Sequence, residues 1–283
     1  MQPLKRQVLV PDVTLEHYDK RLLVKSGIPL SAVSSAIYNG GRQEGIRCIF
    51  NFTVNKGYCS SDPIEDLRRE ASRLGLPERT IGLMTAVDVK NAAVAIEPHD
   101  DADDAPFSLV GLSSAGPVAS REQADGTTAP AETRHPLRVA AVVTAGISNA
   151  WRAGVWPSYL QETAPAVADA HRTGKITRTP APYRPGTINI IVLVEGQLSD
   201  AALVNAVMTV TEAKTAIFYE RDIRCPASGR MATGTTTDAV VVAMTGRGEE
   251  LPYAGPGTVV GALMARAVSR ALNVALDSRE QNR

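Results

Sequence analysis

Three short runs of the sequence are apolar at almost every position: LRVAAVV at 137–143, INIIVLV at 188–194 and AVVVAM at 239–244. They are rich in Val, Ile and Ala, and each is too short for a helix of ordinary length. A run without a polar face has no side to give to water, so each reads as a buried strand. Helical patterns lie between and after them. Ser199 and Asp200 open one that runs to about Glu220. The last carries a clean stripe of Val260, Leu263, Met264, Ala267, Val268, Ala271, Leu272 and Ala275. Strand, helix, strand, helix in that order predicts an α/β fold with a layered sheet-and-helix architecture.

The rest of the chain divides around one odd stretch. From residue 26 to about 96 the pattern is that of folded chain. Within it, Asp62 followed by Pro63 marks a helix start, Ile64, Leu67, Ala71 and Leu74 give the stripe, and Gly75 suits the end. Residues 97–136 are rich in Asp, Ala, Gly, Ser and Pro with little periodicity. They read as a flexible insertion or linker between two structured halves of a single large domain, 1–283. A Pro-rich loop is expected near 177–186. IGLMTAVDV and VAAVVTAGI hint weakly at an internal duplication.

Charge narrows the function. Thirty basic residues match thirty acidic ones, so no broad positive field favours nucleic acid. Cys48, Cys59 and Cys225 are too few and too scattered for a disulfide framework or a CxxC metal site. The short apolar run at the start, ended by Pro11, is not a secretory signal. No segment reads as the roughly 20 apolar residues of a membrane span. The expectation is a cytoplasmic protein that touches neither membrane nor nucleic acid. HExxH, GxSxG and GxGxxG after a strand are all missing. The four histidines are far apart. His99 with the aspartates after it could bind a divalent ion, but solvated acidic runs are commoner. No metal site is expected.

Several constellations could carry chemistry. On the strand GTIN (186–189), Thr187 and Asn189 share one face. Asn189 is flanked by apolar residues and so is expected to be buried, either as a structural amide or as a donor to a substrate oxyanion. In TEAK (211–214), Lys214 falls on the apolar stripe with Leu203, Val207, Val210, Ile217 and Phe218. It must therefore reach solvent, pair or give up its charge. Thr211 lies one turn back, and Glu212 projects well off the stripe. A snorkelling lysine with a surface glutamate is the bland alternative. ATGTTTDA (232–239) places Thr233, Thr235 and Asp238 at a strand's mouth, as a plain turn or a hydroxyl-lined loop for a polar ligand. Asn39-Gly40-Gly41, and Thr144 to Ala150 with Gly146 and Asn149, are further loops of that kind, although Asn-Gly usually means only a turn.

These segments in this order resemble the adenosylcobinamide amidohydrolase family. The matching stretches are SSAIYNGG (34–41), GLMTAVDV (82–89), VTAGISNAWRAG (143–154), GTINIIVLVEGQLSDAALVNAVMTVTEAK (186–214), MATGTTTDAVVVA (231–243) and YAGPGTVVGALMARAV (253–268). The resemblance implies hydrolysis of the amide that carries aminopropanol in adenosylcobinamide, releasing adenosylcobyric acid for corrinoid salvage. It implies a corrinoid partner and no cofactor, since the substrate itself carries the cobalt. Pro256, Gly257 and Ala262 depart from the polar residues expected there. For the reaction, Lys214 or Glu212 is assigned to proton transfer, Asn189 to the oxyanion and Asp238 to orienting a partner or water. Thr211 and Thr187 are the candidate nucleophiles. The order of elements is also similar, at the level of fold alone, to αββα sandwich hydrolases whose nucleophile arises by self-cleavage. A corrinoid-binding protein without catalysis and an amidohydrolase for a different amide are the alternatives. The oligomeric state is left open.

Overall fold

The structure, a computed structural model, describes residues 2–99, 136–156 and 186–280. In chain order the elements are β1 (Lys5–Val10), β2 (Val13–His17), β3 (Arg21–Ser34), β4 (Gly41–Thr53), α1 (Pro63–Arg73), β5 (Thr80–Thr85) and β6 (Ala93–Pro98). They continue as β7 (Arg138–Ala145), β8 (Ala150–Trp151), β9 (Ile188–Glu195), β10 (Gln197–Leu198), α2 (Asp200–Glu220), β11 (Gly234–Thr235), β12 (Ala239–Met244), β13 (Glu250–Leu251) and α3 (Val259–Glu280). The three apolar runs form β7, β9 and β12. β9 pairs in parallel with β12 through the α2 crossover, and β7 runs antiparallel to β9.

The main sheet follows the order β1-β2-β3-β12-β9-β7-β6, with β4 on the other edge of β3 and β5 beyond it. β3 is the joint. Its first half pairs with β2, from Leu22 to Ser26, and its last four residues, Ser31 to Ser34, pair with β12. Between these halves the ladder to β4 slips, at Lys25 to Leu30, where Gly27 and Pro29 interrupt the strand. The sheet thus folds into two arms that face one another. Ala140, Val142, Ile191, Leu193, Val241 and Ala243 pack from one arm against Leu15, Val24, Ile49, Ile81 and Leu83 of the other. The alternate residues Val139, Val143, Ile190, Val192 and Val242 face outward beneath α2 and α3. On the far side, Leu67 and Ala71 of α1 cover Leu23 and Phe50. The layers run helix, strand, strand, helix. Strands covered on both faces have no use for polar alternation, which is why their sequences are continuously apolar.

Some expectations change. Regular structure begins at Lys5, well before residue 26. Glu97 and Pro98 belong to β6 rather than to the insertion, and Glu97 is buried with Arg270 at 2.6 Å. Residues 100–135 and 177–185 lie outside the described residues. Ile64 is exposed, while Leu67 and Ala71 carry the contact of α1. Two helices, Asp200–Glu220 and Val259–Ser278, are long and apolar enough to cross a membrane, contrary to the sequence reading. Their apolar residues have another use here: about half of each helix is buried, in packing against the sheet and against the other.

Candidate active site

A cleft of about 960 Å³ opens where the two arms meet. One end is formed by the starts of β9 and β12: Gly186, Thr187, Asn189 and Thr236 to Ala239. Facing it are the end of β5, with Leu83 to Ala86, and the turn after β3, with Ser35 to Ile37. Pro63, Trp151 and Pro226 add apolar wall.

Asp238 is the hub of the polar end. Its Oδ2 accepts from Lys214 Nζ at 2.5 Å and from the Thr235 N–H at 3.0 Å. Its Oδ1 accepts from the Thr235 hydroxyl at 2.5 Å and from the Ile188 N–H at 3.1 Å. Four donors use the carboxylate's acceptor sites, so the group is held rather than free. Lys214 comes from the buried stripe of α2 and is 7% exposed, which answers how an ammonium survives there: it pairs. Breaking such a buried pair by removing one partner typically costs about 3–5 kcal/mol. Gly234 makes the pair sterically feasible. A Cβ there would stand 2.5 Å from Asp238 Oδ2 and 2.6 Å from Lys214 Nζ.

Above this hub lies a rim of hydroxyls. The Thr187 and Thr237 hydroxyls meet, and Thr237 Oγ1 also donates to the Gly186 carbonyl at 2.9 Å. Asn149 Nδ2 donates to Thr236 Oγ1 at 2.7 Å. Gly186 lets these loops close, because a Cβ there would fall on Asn149 Oδ1. Ser35 Oγ accepts the Val240 N–H at 2.9 Å. In these bonds Ser35 and Thr236 are acceptors, so each keeps an O–H to donate into the cleft.

At the floor, polar side chains from facing strands form a chain. Asn51 Nδ2 donates to Thr144 Oγ1, and Asn189 Nδ2 donates to Asn51 Oδ1, both at 3.0 Å. Asn189 Nδ2 also donates to the Met84 carbonyl at 2.9 Å. All three side chains are buried.

The family model for adenosylcobinamide amidohydrolase matches this chain over residues 7–131 and 123–283. The chain belongs to the adenosylcobinamide amidohydrolase family. An adenosylcobinamide amidohydrolase of Methanosarcina mazei is 26% identical over 272 residues, covering 92% of this chain and 96% of the relative. One from Halobacterium salinarum is 34% identical over 193 residues, covering 67% and 64%. The uncharacterized protein MJ1613 of Methanocaldococcus jannaschii is 40% identical over 97 residues. That match spans 34% of this chain and 38% of the relative. This adenosylcobinamide amidohydrolase family member is accordingly an amide-hydrolysing enzyme.

Against the sequence expectations, the structure gathers Thr187, Asn189, Asp238 and Asn149 at the cleft. It sets others apart. Glu212 is exposed on α2 and has no hydrogen bond among the described residues. Two residues along a helix turn it about 200° from Lys214, so it cannot share that residue's task. Thr211 is exposed too, and its hydroxyl donates back to the Val207 carbonyl at 2.8 Å. Asn189 has both N–H groups committed within the protein, so it is no oxyanion donor. Lys214 stands behind Asp238 rather than on the cleft wall.

Thr144 lies in the floor chain and Thr235 in the hub. Thr233 accepts the Ala153 N–H, and the Gly146 N–H donates to the Thr187 carbonyl, so both tie loops together. Asn39, Gly40 and Gly41 form a turn: Asn39 has φ 53° and Gly41 φ 78°, and Asn39 Nδ2 donates to the Thr80 carbonyl. The turn delivers Ser35 to Ile37 to the cleft instead of lining it. Pro256, Gly257 and Ala262 are also off the cleft wall. His99 is described but the aspartates after it are not, and no group of three His, Cys, Asp or Glu converges among the described residues.

Sequence reasoning missed Ser35, Asn51, Thr236 and Thr237. Asn51 carried the same signal as Asn189, a lone amide in the apolar run CIFNFT. Thr236 and Thr237 stood in the ATGTTTDA run that supplied Thr233 and Thr235. Ser35 had no signal beyond its place in SSAIYNGG.

Proposed function

We propose that the chain hydrolyses the aminopropanol amide of adenosylcobinamide to adenosylcobyric acid in corrinoid salvage. Water adds across the C–N bond. Its oxygen goes to the carbonyl carbon, which becomes the carboxyl, and hydrogen goes to nitrogen, which leaves as the amine. The observation that carries the reading is the cleft's mixed lining: hydroxyls and a clamped carboxylate at the starts of β9 and β12, together with apolar wall such as Leu83, Trp151 and Pro226. A linear amide arm fits the first and the edge of a largely apolar macrocycle the second. The O–H groups of Ser35 and Thr236 are suited to the oxygen that gains charge in the transition state. Asp238 and Lys214 act as positioning residues that fix the Thr235–Thr237 turn and the start of β9. The reaction asks for no cofactor, since the cobalt arrives with the substrate.

The test is incubation of purified protein with adenosylcobinamide, with products followed by mass spectrometry. Adenosylcobyric acid and aminopropanol should appear. Thr236→Val should lower kcat by roughly 100-fold with little change in KM, as loss of an oxyanion donor does. Lys214→Ala should lose activity together with thermal stability, and Glu212→Ala should leave both near wild type. Corrinoid binding without any product would refute the hydrolytic reading in favour of a binding protein.

A further inference from the structure

The floor of the cleft holds an acceptor with nothing to accept. Asn189 is 2% exposed and lines the cleft, and its Oδ1 has no hydrogen-bond partner among the described residues. The orientation of this amide is dictated by its neighbours. The Met84 carbonyl can only accept, and it lies 2.9 Å from the side-chain nitrogen, so the oxygen cannot take that place. With that nitrogen so placed, Asn51 Oδ1, 3.0 Å from it, accepts its second N–H, and Asn51 Nδ2 is left to donate to the Thr144 hydroxyl. The remaining atom of Asn189 is therefore a carbonyl oxygen held in place by strands of both arms. A buried acceptor left unpaired is costly, and native structures keep few without a use.

We infer that Asn189 Oδ1 receives the N–H of the scissile amide, and that it makes the enzyme select amides over esters of the same shape. The inference rests on the amidohydrolase reading above. A secondary amide offers one donor, its N–H, and one acceptor, its carbonyl. Asn189 can engage only the donor, while the hydroxyls of Ser35 and Thr236 can serve the carbonyl. The two kinds of contact together fix which way round the amide lies. An ester of the same arm has an oxygen in place of the N–H. Its lone pairs would face those of Asn189 Oδ1 with no proton between them. As the C–N bond breaks, the nitrogen keeps its hydrogen and gains another, so the contact persists into the leaving amine. Asn189 is then a specificity residue on the leaving-group side, the opposite of the oxyanion donor that the sequence suggested.

The experiment compares adenosylcobinamide with its ester analogue, in which oxygen replaces the amide N–H. Both are measured with wild-type protein and with Asn189→Ser, whose hydroxyl can turn to donate as well as accept. For wild type, the KM of the ester should exceed that of the amide by at least about tenfold. In Asn189→Ser the ratio should fall to within about threefold, whatever the loss in absolute rate. A merely structural role would change rate and stability but leave the ratio alone. Equal KM values in the wild type would overturn the inference while leaving the hydrolytic function intact. That is also the result if Asn189 serves a peripheral carboxamide of the ring. An unchanged ratio in Asn189→Ser would overturn it as well. Failure to cleave either compound would remove both the inference and the reading beneath it.

Discussion

Cys48 is buried in β4, and burial pushes its thiol up to about 12. Cys225 has the opposite tendency. Its burial raises the value, but the Ser228 hydroxyl and the backbone of Arg152, Ala227 and Ser228 outweigh that and hold it below the usual thiol range. Reactivity needs access as well as thiolate, and Cys225 is 0% exposed. Only Cys59, exposed on the cleft wall, has access. A thiol reagent at pH 7.5 should label one cysteine quickly, with the other two reacting only on unfolding. Rapid labelling of Cys225 would mean that its loop opens in the native state. His17 gives a pH test. Burial, with Lys5 nearby, lowers its pKa below 6.5. The folded state then resists the proton that the unfolded chain accepts. The contribution of His17 to stability is complete above pH 6.5 and declines as pH falls through the unfolded and then the folded value. Urea unfolding at pH 7.5 and 5.0 should show a smaller acid loss for His17→Gln than for wild type. Legibility at this scale depended on side-chain chemistry in context. A lysine on an apolar stripe announced that it had to reach solvent, pair or give up its charge, but not which: its partner is 24 positions away, and no local pattern names it. The buried amide Asn189 was legible too, while the direction of its hydrogen bonds was not, because the Met84 carbonyl that sets it comes from another strand.

The elements that could be read were those whose pattern is local. β7, β9 and β12 are apolar on both faces, and α3 buries every residue of its predicted stripe. α1 follows its signals: Asp62 Oδ1 accepts the Glu65 N–H at 2.9 Å, Pro63 follows, and Gly75 has φ 61°. Asp62→Ala should therefore cost about 1 kcal/mol, seen as a lower urea midpoint with the slope unchanged. β1 to β4 went unread for a physical reason. Their charges are answered across strands and not along the sequence, as where Glu16 of β2 meets Lys25 of β3 at 2.7 Å. β3 also contains Gly27 and Pro29, which normally argue against a strand and here mark the slip at its middle.

At the scale of the whole molecule, the two arms are tied by charge as well as by apolar packing. Arg247, after β12, bonds Glu195 at the end of β9 at 3.0 Å, and also Asp12 in the β1–β2 turn. Glu195 is buried, so removing Arg247 takes a cation from a desolvated carboxylate. Arg247→Ala should cost about 3 kcal/mol or more, measured by chemical unfolding, whereas Asp12→Ala, with its exposed carboxylate, should cost under about 1 kcal/mol. The shared strand has a consequence during synthesis. The residues of β3 that pair with β12 are made roughly 210 residues before their partners. At about 5 to 20 residues per second, the ribosome leaves that edge open for roughly ten to forty seconds. During that interval the nascent chain carries an unpaired strand edge beside half-built apolar layers, a template for pairing with any neighbouring chain. Slower translation lengthens this exposure, so the yield of native protein becomes a matter of tempo as well as of sequence.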